Sequence, residues 1–317
     1  MTIRDRLFRF ALVLSVCACA LGFDSFIVAA LQQPVRQDDE VRDITKDWKQ
    51  KRPEAQSARK RPPVYSIKSR IPPEQDRPDS VGDSEIGLTI WRYRPAKPGD
   101  EVRDLIQPKA GSSKEEWTSE RLDGETAITD GQMIRMTVES LRQGYLYIID
   151  RAKYEDGSYG DPYMIFPTKR IRDGSNIVRA GRMIQIPGAN DNPPYFQFSR
   201  ARSPSGAVEV SEELILLVAK QPIEGSPLGL DRVKLDQDRV EFLKQQYGAP
   251  VERSEMKGGA GTAITKKEDL TAKDPLQLLT ADDPYPQTIY RVAAKPDDPI
   301  VVIVELKVRP GVERARQ

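Results

Sequence analysis

Apolar side chains alternate with small, polar or aromatic ones along Ile86-Gly87-Leu88-Thr89-Ile90-Trp91-Arg92-Tyr93. That period of two is the mark of a half-buried β-strand. Met133, Met136 and Val138 place a second strand at 132–140. Gly144-Tyr145-Leu146-Tyr147-Ile148-Ile149-Asp150 is the strongest strand signal in the chain, rich in aromatic and β-branched residues. Arg142-Gln143-Gly144 between these two predicts a turn and an antiparallel pair. Shorter strands are expected at 162–167, 182–187, 194–199 and 212–219, and closing strands at Gln287–Ala293 and Pro299–Val308. Turn-forming clusters separate them, among them Glu155-Asp156-Gly157, Arg172-Asp173-Gly174 and Gly188-Ala189-Asn190-Asp191-Asn192-Pro193-Pro194.

A helical period interrupts this pattern. Between Asp236 and Gly248, Val240, Leu243 and Tyr247 share one face, with Asp236 placed to cap the start and Gly248 to supply a left-handed residue after the end. Shorter helices are expected near 266–271 and 275–280. Many short strands without βα alternation predict a mainly β fold. The expected architecture is an antiparallel β-sandwich, Ig-like or jelly-roll-like, over 84–308, with a partly helical insertion at 224–283 before the last strands.

The N-terminal quarter of the chain has no such pattern. Residues 31–83 mix charge with proline, as in Lys49-Gln50-Lys51-Arg52-Pro53, Arg59-Lys60-Arg61-Pro62-Pro63 and Ile71-Pro72-Pro73. Such a composition buries too little apolar surface to offset ordering entropy and reads as a disordered tether. The stretch Asp38–Lys51, around Trp48, has room for one short helix. A disordered tail is expected at 309–317.

Residues 1–30 read as an export signal. Arg4, Arg6 and Arg9 precede the uncharged run Phe10–Phe23, and small residues at Val28-Ala29-Ala30 suit a signal peptidase. Two other readings stay open: an uncleaved anchor, and a lipoprotein with the lipid on Cys19 of Val16-Cys17-Ala18-Cys19. Export points to the periplasm, outer envelope or exterior of a cell.

Charge and composition narrow the chemistry. The chain has 49 basic and 48 acidic residues, net +1. The first 30 residues account for that one charge, and a neutral remainder lacks the broad positive field of a nucleic-acid binder. There is no histidine, and the two cysteines, Cys17 and Cys19, lie inside the export segment. Ser-His-Asp and Cys-His catalysis, common zinc and copper sites, and thiol redox chemistry are thereby excluded in their usual forms.

What remains is carboxylates, loops and aromatics. Gly258-Gly259-Ala260-Gly261-Thr262 lacks the spacing and ending of a phosphate loop. Asp150, Glu155, Asp156 and Asp161, and separately Asn190, Asp191 and Asn192, offer oxygens for calcium, yet turn formation explains both groups. No cofactor is expected, calcium being the one candidate. Carboxylate-pair glycosidase chemistry needs only Asp and Glu and stays open. Trp91, Tyr159, Tyr163 and Tyr195 are the candidate binding surface, although such residues in strands also serve as core.

The strand Gly144-Tyr145-Leu146-Tyr147, the later Ile165-Phe166-Pro167, the stretch Asn176-Ile177-Val178-Arg179-Ala180-Gly181 and the pair Ile186-Pro187 together resemble the bacterial domain of unknown function 4384. The resemblance covers about 84–220. It implies a bacterial source and an accessory or binding role, and it carries no catalytic set. The expected function is a non-enzymatic exported binding or accessory module of the cell envelope. Its partner would be an envelope protein or polysaccharide, with no nucleic acid, and it would touch membrane only through an uncleaved or lipidated N-terminus. The alternatives are a carboxylate-dependent hydrolase of envelope glycans and a structural spacer.

Overall fold

The computed structural model describes residues 46–52, 84–108, 111–123, 126–256, 262–274, 277–295 and 297–309. The expected export signal at 1–30, the rest of the expected tether, residues 257–261 and most of the expected tail at 309–317 lie outside these. Two antiparallel sheets form the fold. The first holds β1 (Glu85–Pro95), β2 (Asp104–Ile106), β3 (Glu115–Arg121), β4 (Met133–Ser140), β8 (Arg182–Ile186), β9 (Phe196–Gln197), β12 (Val251–Glu255) and β13 (Thr288–Val292). The second holds β5 (Gly144–Tyr154), β6 (Tyr163–Phe166), β7 (Ile177–Val178), β10 (Glu209–Ala219), β11 (Val233–Lys234) and β14 (Ile300–Lys307).

Alternation within each strand builds the core. Leu88 and Ile90, Met136 and Val138, and Ile184 and Ile186 face Leu146 and Ile148, Leu214, Leu216 and Val218, and Val302 and Val304. Each such side chain contributes roughly 1.5–3 kcal/mol on burial. This shared layer makes the fold a sandwich.

β5 and β10 are apolar on both faces because the outer face of the second sheet is covered too. Tyr147, Ile149, Ile215 and Leu217 pack under α2 (Gln237–Tyr247) through Val240, Leu243 and Tyr247. Asp236 caps α2 by accepting from the amides of Asp238 and Arg239. Gly248 differs from expectation: its φ of −63° is not left-handed. A Cβ there would lie 2.3 Å from the Lys244 carbonyl oxygen, so close backbone approach, and not handedness, demands the glycine. The short helix expected near 266–271 forms as α3 (Lys266–Lys273), whereas 277–280 is not helical.

One expected pairing needs correction. β4 and β5 do not pair: β4 is flanked by β1 on one edge and by β8 and β9 on the other, while β5 joins β10, β6 and β7. The turn at Arg142 carries the chain from one sheet to the other, and Arg142 Nη2 donates to the carbonyls of Val218 and Asp298. The insertion at 224–283 is partly helical as expected, holding α2 and α3, and it also contributes β11, which pairs with β6, and β12, which pairs with β13. Among the described residues, no helix is long and apolar enough to cross a membrane.

Candidate functional site

Residues 46–51 are helical (α1), and Arg52 follows immediately. Trp48 and Arg52 are four positions apart, a spacing that sets two side chains on one side of a helix about 5–6 Å apart. The outer face of the first sheet offers a matching spacing. Register places Met183, Glu139, Gly87 and Ile289 in one row across β8, β4, β1 and β13. Direct neighbours in such a row stand about 4.5–5.5 Å apart. Gly87 is the gap in that row. Trp48 fills the hollow and is fully buried, with Leu141, Met256 and Ile289 around it. A Cβ on residue 87 would lie 2.9 Å from the indole and 2.4 Å from Pro286.

Glu139, beside that hollow, receives Arg52. Nε and Nη2 of Arg52 each donate to one Glu139 oxygen at 2.9 Å. Nη2 also donates to the Pro284 carbonyl at 2.9 Å, and Nη1 to the carbonyls of Thr280 and Asp283 at 3.0 and 2.8 Å. A guanidinium has five N–H donors, and all five are used here. Asp283 shapes the carbonyl loop: its Oδ2 accepts from the Thr280 amide at 2.6 Å and hydroxyl at 2.9 Å, and Lys267 pairs with its other oxygen at 3.0 Å. Burial opposes ionisation of Asp283, but the hydrogen bonds from Thr280 and Lys267 hold its carboxyl below the usual range. Burial pushes the Glu139 carboxyl above its usual range, with the Arg52 guanidinium working against the shift.

Partly buried ion pairs, anchored on the buried Glu85, rim the groove. Arg291 meets Asp47 at 2.9 Å and Glu85 at 2.6 Å, Lys51 reaches Glu85 at 3.0 Å, and the Lys49 ammonium sits 5.2 Å from the Tyr285 ring centre. The boundary of the folded domain therefore moves. Residues 46–52, read from composition as tether, belong to the fold because Trp48 and Arg52 find a hollow and a socket built for them. Beside the socket lies a cleft lined by Thr89, Trp91, Thr137, Glu139, Asp283 and Tyr285, with about 20 Å³ of free space. That holds a water molecule, whereas metabolite pockets run to roughly 300–1,000 Å³.

A second charged cluster sits at one end of the sandwich. A bulge between Glu209 and Ser211 pairs Glu209 with Tyr154, which turns Glu209 onto the face shared by Asp150 and Glu212. One oxygen on each of Asp150, Glu209 and Glu212 is enclosed and receives no N–H or hydroxyl donor. A carboxyl proton held in this cluster would give one of these oxygens a donor. Burial and repulsion from Asp150 and Glu209 push the Glu212 carboxyl up to about 10, and burial raises Asp150 to about 6, with Arg232 opposing. Glu209 is raised as well, chiefly by burial. Among the described residues, no group of three or more carboxylate, His or Cys side chains is arranged to hold a metal ion.

The four aromatics named from sequence do not meet on one surface. Trp91 is 1% exposed and is core, its indole donating to Thr137 Oγ1 at 3.2 Å under the Arg121 guanidinium, which itself pairs with Glu268. It is withdrawn as a surface residue because α3 and its flanking loops cover that face. Tyr159 stays exposed beside the α2 face, its ring 3.9 Å from the Arg151 guanidinium. Tyr163 is half-buried under Arg232, and Tyr195 packs edge-on against Tyr93, ring centres 6.2 Å apart. Asp156 accepts from Ser158 within its own turn and from the Ser205 hydroxyl, and Asp191 accepts from the Gly188 amide within its own turn and from the Arg172 amide of another. Sequence reasoning missed the socket. Its one signal was a lone Trp four positions before an Arg in an otherwise polar stretch. No protein-family model, no curated protein and no solved structure matches the chain, so the family resemblance rests on the quoted residues alone.

Proposed function

We propose that the chain is a non-enzymatic binding or accessory module, exported to a bacterial cell envelope, whose β-sandwich contacts a protein or polymer partner. The observation that carries this reading is the Arg52 socket. A fold that satisfies all five donors of a guanidinium from a distant segment has the means to recognise a chain laid across its outer sheet. The positive n-region and apolar run of residues 1–30 supply the reason to place it outside the cytoplasm. Crosslinking in intact cells followed by affinity capture tests it. A reproducible envelope partner, lost when 84–308 is deleted, is the expected result. Absence of any partner above background would sink it.

The hydrolase reading draws on the second cluster, where burial pushes the Glu212 carboxyl up to about 10 and Asp150 only to about 6, a separation of the kind an acid–base pair uses. Its weakness is contact: carboxyls that hydrogen-bond one another leave no room for the sugar that glycosidase pairs flank at about 5–9.5 Å. Purified protein incubated with peptidoglycan and polysaccharides, with Glu212→Gln as control, decides it. Turnover lost in the variant would establish hydrolysis, and no turnover removes the reading.

A further inference from the structure

We infer that the groove across Glu139 and Gly87 is a docking site for a helical peptide carrying an aromatic residue and, four positions later, an arginine. Residues 46–52 are its resident, displaceable occupant. The inference rests on the binding-module reading and names the chemistry of the partner.

Three observations carry it. The socket is built wholly from the sandwich side: a carboxylate on β4 and three carbonyls of the loop 280–284. It therefore takes a guanidinium from any chain presented at that angle. The hollow beside it exists because residue 87 lacks a side chain, and its walls are Leu141, Met256, Ile289 and Tyr285. The rim adds direction. Arg291 takes an acidic residue just before the aromatic, where Asp47 stands, and Glu85 takes a basic residue just before the arginine, where Lys51 stands. The recognised pattern is acidic–aromatic–two residues–basic–Arg, and bidentate carboxylate geometry makes lysine a poor substitute at its last position.

The resident segment is joined to β1 through 53–83, roughly 30 residues that span on the order of 100 Å at full extension. Covalent attachment makes the resident segment an intramolecular ligand and so raises its effective concentration at the groove. A partner competes by presenting the same pattern at high local density or with added contacts, so docking is conditional on displacing the strap.

The test needs no destabilising variant. A protease site is inserted between residues 60 and 75 of the full chain, the folded protein is cleaved, and the mixture is run on a sizing column. The N-terminal fragment is expected to co-elute with the sandwich at one to one as a monomeric complex. A labelled synthetic peptide of residues 44–54 is expected to displace it, and the same peptide with Arg52→Ala or Arg52→Lys to do so at least tenfold less well. Separation or precipitation of the fragments on cleavage, equal displacement by the Arg52→Ala peptide, or elution as a strap-exchanged dimer would each overturn the inference. None of these readouts involves an envelope partner, so a failed cellular capture experiment leaves this result independent.

Discussion

Arg52 and Glu139 lie 87 positions apart and meet in a two-pronged ion pair with both contacts at 2.9 Å, their side chains 0% and 4% exposed. Charges taken this far from water add little stability over an apolar pair of the same shape, yet losing one partner is severe. The pair thus fixes where α1 docks more than it strengthens the sandwich. Trp48 supplies the apolar burial beside it.

The hollow at Gly87 gives the first prediction. A methyl group there would sit 2.4 and 2.8 Å from Pro286 side-chain atoms and 2.9 Å from the Trp48 ring. Gly87→Ala is expected to destabilise the protein by about 1–3 kcal/mol through overpacking and to loosen α1. Thermal unfolding with tryptophan fluorescence reads both, the indole emission moving to longer wavelength as Trp48 meets water. An unchanged melting temperature and spectrum would contradict the packing described.

The carboxyl cluster at Asp150, Glu209 and Glu212 predicts a pH dependence. The fold raises all three above the values of an unfolded chain, about 3.9 for Asp and 4.3 for Glu. The folded state therefore holds protons that the unfolded state has released. This contribution is complete below about pH 4 and declines as pH rises through about 6 for Asp150 and toward about 10 for Glu212. Glu212→Gln keeps the donor and removes the charge. Denaturation across pH 4–9 is expected to show a smaller decline in the variant, which should be the more stable protein at pH 8. Parallel curves would refute the shared proton.

Helix α3 holds the cover over the outer face of the first sheet. Thr265 and Glu268 cap one another there, the Glu268 amide donating to Thr265 Oγ1 at 3.3 Å and the Thr265 amide to Glu268 Oε2 at 2.9 Å. Thr265→Ala is expected to cost about 0.5–2 kcal/mol. Hydrogen exchange should quicken within 266–273 while β5 and β10 keep their protection. Uniform loss across the domain would show that α3 is not a local unit.

Much of the sandwich was legible because its strongest strands are self-announcing. Leu146–Ile149 and Leu214–Val218 combine branched side chains with burial on both faces, and Asp236 marks the start of α2. Sheet membership was not legible. The turn at Arg142–Gly144 reports that the chain reverses, but which neighbours β4 and β5 acquire depends on β1, β8 and β10, far away in sequence. The carboxyl cluster was hidden for a related reason, since a bulge brings Glu209 onto the face of Glu212 and alternation alone would separate them. The socket was hidden by averaging: a window dominated by charge and proline dilutes the two residues, Trp48 and Arg52, whose side chains decide docking.

The central claim, that residues 46–52 are part of the folded domain through a buried guanidinium, is tested most directly by a double-mutant cycle. Arg52→Ala, Glu139→Gln and the double variant are compared with the parent by denaturant unfolding. The account predicts that Arg52→Ala costs about 3–5 kcal/mol and that the double variant recovers much of it, for a coupling of at least about 2 kcal/mol. A coupling below about 0.5 kcal/mol, the size seen for solvent-exposed pairs, would contradict it.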